Sequence, residues 1–241
     1  MSFRSLSAIL LLAAVAAACA PAASPADPVS AELLAPDKAF ATVASPMEAP
    51  PTETTSADVA AGPATYTFVA GETVARFVID EVLSGNPKTV IGETGGVSGS
   101  ITLDLSAPAE AMLGPVEVDL SGLETDNGFR TRALHEAILQ TGKDGNAVAT
   151  FTATQIEGLP ETVTPGTAYP LQITGDLTIK GTTRQVTFDA IVTPVSADRI
   201  EGTATLSVPY SDFGVDIPFL PPQVASVEDL VRLEITLVAA R

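Results

Sequence analysis

Apolar and polar residues alternate along most of this chain. The pattern runs through ATYTFV, TVARFVID, GSITLDL, GPVEVDLSGL, ATFTATQI, YPLQITGDLTIKG, RQVTFDAIVT, RIEGTATLSVPY and LVRLEITLVA, from Ala64 to the C-terminal end. Successive side chains of a strand point to opposite faces, so a period of two marks strands with one buried face. β-branched residues fill these runs and Gly or Pro separates them, as between antiparallel strands. About eight or nine such strands predict an all-β domain over residues 65–241, closed as a barrel or stacked as a sandwich. The inward positions include Phe68, Phe77, Ile79, Leu103, Phe151, Ile173, Leu177, Phe188 and Leu206, while Thr, Asp, Glu, Gln and Arg take the outward ones.

One stretch breaks the period. In SGLETDNGFRTRALHEAILQTG, Phe129, Ala133, Leu134, Ala137 and Ile138 fall at i, i+4, i+5, i+8 and i+9, the apolar stripe of an amphipathic helix. Asp126 or Asn127 is placed to cap its N-terminus. A short helix among strands suits one end of a barrel, where Phe129, Leu134 and Ile138 would cover or gate the lumen.

Catalysis finds little material in the same stretch. HEAIL starts like the HExxH zinc motif but carries Leu139 where the second His is needed, and His135 is the only histidine of the chain. With Glu136 beside it on the polar face, His135 reads as a solvated side chain and not as a base. No metal or cofactor is expected. For Arg130 two readings stand: a guanidinium holding the head group of a ligand at the mouth, or one paired with nearby carboxylates. For Arg132 the second reading is the better one.

The N-terminal part is of another kind. Arg4 precedes the apolar run AILLLAAVAAA (residues 8–18) and then Cys19, which reads as an export signal over residues 1–19. VAAAC is similar to the lipobox of bacterial lipoproteins, with Ala16 at the position most often held by Leu. Lipidation of Cys19 and plain cleavage after Ala16-Ala17-Ala18 are the two outcomes, and the single Cys, placed where lipidation needs it, favours the first. Residues 20–64 are rich in Ala, Pro, Ser, Thr and Glu and are expected to form a disordered tether. The whole chain has 12 basic and 29 acidic residues, and residues 65–241 keep 10 and 23 of them, a net charge of 10 − 23 = −13. Such acidity argues against nucleic acid and against adhesion to anionic lipid.

Two further segments are best read structurally. GETGGVSG (residues 92–99) follows neither the dinucleotide nor the P-loop spacing, and its glycines suit a bend at a barrel corner. Residues 209–230, with four prolines, read as an ordered loop near one end, with Phe213 a candidate for the entrance.

Four segments in this order, ATFTAT, ITGDLTIKGTTRQVTFD, YSDFGV and VRLEITLVA, with TDNGFRTRAL upstream, resemble the YceI-like family of lipid- or polyisoprenoid-binding bacterial proteins. The resemblance implies a lipocalin-like antiparallel β-barrel of about eight strands with a short helix at one end. It implies an elongated apolar ligand in the lumen, export commonly to the periplasm, and no catalysis. Where the family has Arg-Asp-x-His-Leu, this chain has Arg130, Thr131, Arg132, Ala133 and Leu134. His135 lies two positions beyond the family's histidine and does not inherit its role. The expected function is therefore binding, storage or transport of an isoprenoid-like lipid by a tethered envelope protein that faces the periplasm or the outside. The alternative is a structural or adhesion module whose barrel is filled by its own side chains.

Overall fold

The computed structural model describes residues 62–241. The expected export signal with Cys19 and the expected tether as far as residue 61 lie outside the described residues. Fourteen strands follow in order: β1 (Ala64–Phe68), β2 (Val74–Leu83), β3 (Asn86–Thr94), β4 (Val97–Ser98), β5 (Ser100–Leu103), β6 (Met112–Leu113), β7 (Val116–Asp119), β8 (Glu124–Thr125), β9 (Val148–Glu157), β10 (Tyr169–Ile179), β11 (Thr182–Ser196), β12 (Arg199–Pro209), β13 (Val224–Val227) and β14 (Leu230–Ala240). A helix, α1 (Gly128–Ala133), runs into a π turn at Leu134–Ile138 between β8 and β9.

These strands occupy eight positions around a curled, wholly antiparallel sheet. β1 and β2 share one edge of β14, with β13 carrying on along the same edge of β2. β3, β4 and β5 are one strand broken at Gly95-Gly96 and Gly99, which is the bend that the glycines of GETGGVSG foreshadow. β6, β7 and β8 make a third composite position, and β9, β10, β11, β12 and β14 fill the rest. Long ladders join most of the circuit: β10 to β11 pairs Tyr169 through Ile179 with Val192 through Thr182, and β12 to β14 pairs Arg199 through Pro209 with Ala240 through Leu230. Closure on the other side is slight. Three ladders of two residues each, β3 to β8, β4 to β7 and β5 to β6, form that seam.

Local chemistry explains the joints. Ser84-Gly85 and Lys180-Gly181 turn the β2–β3 and β10–β11 hairpins in two residues with φ of 52°, 80°, 51° and 74°. Two consecutive positive φ values give the turn whose twist matches that of the strands it joins. At the place where β14 passes from β2 to β1, the fully buried Thr73 accepts from Val238 N at 3.1 Å and donates to Val238 O at 2.9 Å. Its hydroxyl does there what a neighbouring backbone would do, so the gap in the ladder leaves no orphaned group.

The helix departs from expectation in its phase. Asn127 is the cap, its side chain accepting from Phe129 N at 2.9 Å and Arg130 N at 3.2 Å. Leu139 N donates to Leu134 O, a bond five residues long. Leu134 and Leu139 would sit about 140° apart on an ordinary α-helix, but the wider turn brings both to the core, where they are buried. The stripe is thus Leu134, Ile138 and Leu139. Phe129, Ala133 and Ala137 are exposed. The same rotation takes His135 off the polar face: its Nε2 is buried with no partner among the described residues, contrary to the solvated role expected for it.

Candidate ligand-binding site

The inward side chains do not fill the curl. Phe77, Ile173, Ile179, Leu233, Ile235 and Leu237 are only partly buried although they face away from the outer surface, because what they face is a cavity of about 930 Å³. Eight of the nine positions expected to line a lumen do line it: Phe68, Phe77, Ile79, Leu103, Phe151, Ile173, Leu177 and Phe188. Leu206 faces inward and packs against the core cluster but is not part of the cavity wall.

Glycine keeps the lumen open. A Cβ built on Gly92 would lie 2.1 Å from Cε1 of Phe77, and one on Gly99 would lie 2.7 Å from Cε2 of Phe68. In each case only the ring stands in the way. The phenyl groups thus occupy space beside these glycines that a side chain there would take, as aromatic rings do over glycine gaps in sheets. At Gly175 the Phe151 ring comes within 2.7 Å of a built Cβ but backbone O of Thr152 is nearer, at 2.3 Å; Phe151 meets Phe188 edge to face at 5.1 Å.

The cavity runs the length of the barrel. At one end Leu83, Phe129, Phe219 and Leu220 line it, beside the helix; at the other, Met112, Leu159, Pro160 and Val163 do. Phe129 is 88% exposed and Phe219 73%, so both stand at the rim. Phe213, expected there too, is 1% exposed: the short helical turn Tyr210–Phe213 folds it under the loop into the core, and it meets the cavity from below. Leu134 and Ile138 also face the cavity and form its cover at this end.

The helix is fastened at both of its ends. Arg130 Nη2 donates to Glu81 Oε1 at 2.7 Å, and Nη1 reaches Asp126; Lys88 Nζ donates to the other Asp126 oxygen at 2.7 Å. Lys180 Nζ donates to Ile138 O at 3.0 Å and Gly214 O at 3.3 Å, which places a cation on carbonyls at the end of the helix. The Lys88 hydrogen bond and the Arg130 charge hold the Asp126 carboxyl below the usual carboxylate range. Arg130 therefore serves carboxylates, the second of its two readings, although it also lines the cavity. Arg132 pairs on the surface with Glu136 at 3.0 Å.

Comparison with known proteins agrees with this geometry. The YceI-like domain matches residues 66–239. The chain belongs to that family. Among solved structures, the YceI-like barrel is similar to a polyisoprenoid binding domain from Saccharophagus degradans implicated in plant cell wall breakdown, with a TM-score of 0.57 and 16% identity over 73% of this chain and 97% of that one. Burkholderia cenocepacia BcnA gives 0.54 and 19% over 72% and 99%. A Campylobacter jejuni YceI protein gives 0.51 and 21% over 62% and 84%. No curated protein matches the chain.

In this YceI-like domain the positions that depart from the family's segment are occupied locally. Thr131 Oγ1 accepts from Thr125 N at 3.0 Å and bonds the Thr125 hydroxyl, tying the helix to β8. Ala133 lines the cavity edge with no polar group to offer. What sequence reading missed is Glu81. Counting by twos from Phe77 through Ile79 lands on it as an inward position, one residue beyond the alternating run TVARFVID.

Proposed function

We propose that the domain binds and carries an elongated apolar lipid, an isoprenoid or one of similar shape, without catalysis, in the bacterial cell envelope. The hollow, apolar lumen carries this reading. Its volume falls in the range of cavities that enclose a small molecule, and it disfavours a barrel filled by its own side chains. Burial alone supplies the affinity. At about 0.8 kcal/mol per methylene, each five-carbon unit contributes roughly 3 to 4 kcal/mol against an association cost of roughly 4 to 15. At the low end of that cost, about three to four units reach micromolar binding. The polyisoprenoid binding named for the Saccharophagus neighbour supports the same class.

Native mass spectrometry of the protein before and after solvent extraction tests the proposal. A bound mass that extraction releases, and that added isoprenoid restores, is the expected outcome. A domain that carries no mass and takes up no apolar probe would end the carrier reading.

The envelope part rests on the leader and on Cys19. Cys19→Ser is expected to move the protein from the membrane to the soluble fraction with its fold unchanged. Persistent membrane association of a variant with a correctly cleaved N-terminus would remove the lipid anchor.

A further inference from the structure

The helix end of the lumen holds a carboxylate with one oxygen that no side chain or backbone donor among the described residues reaches. Glu81 projects inward from β2 with a side chain 6% exposed and lines the cavity. Its Oε1 accepts from Arg130, while no donor among the described residues reaches Oε2. Among those residues the only side-chain polar atom sealed away without a partner is His135 Nε2, so Glu81 Oε2 keeps some accessible surface on a residue that lines the cavity. A carboxylate oxygen accepts more than one hydrogen bond. A ligand donor that reaches this oxygen inside the apolar wall makes a charge-assisted hydrogen bond that a head without a donor cannot make.

The cations nearby are not free to attract an anion. Arg130 is shared between Glu81 and Asp126, and Lys88 is held on Asp126, so two positive charges meet two negative ones. An anionic head would have to displace a carboxylate and then sit beside Glu81, in a domain with 23 acidic and 10 basic residues. Ser84 and Gln223, lining the same end, add uncharged groups that can donate or accept.

We infer that this end of the lumen selects lipids whose head donates a hydrogen bond and bears no negative charge, a long-chain alcohol or amine, with Glu81 as the acceptor. The inference rests on the carrier reading and narrows its ligand. The tail binds by burial whatever the head is. The head decides among tails of equal length: a donor bonds Glu81, an ether or a quinone offers it only acceptors, and a phosphate opposes its charge.

The test is competition of geranylgeraniol, its methyl ether and its monophosphate against a fluorescent apolar probe on the extracted mature chain. On the wild type the alcohol is expected to bind about tenfold or more tighter than either of the others, the difference one charge-assisted hydrogen bond makes. Glu81→Gln, which keeps the shape and removes the charge, should narrow the gap between alcohol and phosphate. Equal affinities for all three, or a preference for the phosphate, overturn the inference and leave the carrier reading standing. A full gap retained in a folded Glu81→Gln protein assigns the selection elsewhere and overturns the role of Glu81. Binding of none of the three by the wild type overturns the carrier reading itself. Should Glu81→Gln fail to fold, the wild-type series still decides.

Discussion

Arg130→Met is expected to make the domain about 3 kcal/mol less stable at neutral pH in chemical denaturation, although a thioether side chain of similar length replaces the guanidinium. The loss comes from what the substitution leaves behind. Glu81 is buried on the inner face of β2, and Arg130 is the cation that its Oε1 accepts from. Without it a carboxylate stands uncompensated against Phe77, Ile79 and Leu83. Replacing both partners, Glu81→Leu with Arg130→Met, should recover most of the loss, because an apolar pair in such a place is often as stable as the ionic one. A single variant as stable as the wild type would show that water hydrates Glu81 through the cavity mouth.

The same cluster adds a modest pH dependence. The Asp126 carboxyl is depressed in the folded state by Lys88 and Arg130, so its contribution is fully present above its unfolded value of about 3.9. That contribution fades as the pH falls through the lower folded value. Because Asp126 is half exposed, the amount is small.

Leu134→Glu is expected to shorten ligand retention sharply while sparing the sheet. Leu134 is buried and faces the cavity from the helix, and its neighbours there are apolar. A carboxylate placed at this point has no evident donor, and its burial is costly enough to favour a lifted helix. Arg130 and Lys180 would still hold the two ends, so the helix bows from the mouth and does not leave it. Each 1.4 kcal/mol taken from the closed state raises the open population about tenfold. The off-rate of a fluorescent isoprenoid should therefore rise roughly tenfold, with little change in far-UV circular dichroism. An unchanged off-rate would show that ligand leaves by the other end, past Met112 and Val163. Global unfolding would make the helix part of the core and not a cover.

Much of the sheet was legible because its causes are local. Period two fixes which face is inward, and β9 through β12 and β14 fall where the alternation puts them. The Asn127 cap and the bend at Gly95-Gly96 could be read for the same reason. The π turn could not, since a spacing of five between Leu134 and Leu139 becomes one face only after the core has drawn both inward. That packing also decides the exposure of Phe129 and the partial burial of His135. Phe213 was misplaced because composition alone does not tell whether an aromatic in a proline-rich loop turns in or out. Glu81 was within reach of the alternation. A charged residue at an inward position looks like the end of a strand, whereas here Arg130, 49 positions later, neutralises it. The openness of the lumen was not legible at all: it depends on rings placed beside Gly92 and Gly99, a relation between strands that no single run contains.

The short ladders of the seam have a consequence for how molecules of this protein meet one another. β8 pairs with β3 only at Gly92 and Glu93, so the stretch from Asn86 to Ile91 presents its outer edge to no strand among the described residues. An unpaired edge is a template on which a second sheet can grow. Pro87 has no amide hydrogen to offer, and Lys88 brings a charge that a docking strand would have to bury. Lys88 also ties down Asp126, which draws the chain leading into the helix beside that edge. The residues that fasten the cover thus help to keep neighbouring barrels from joining into aggregates.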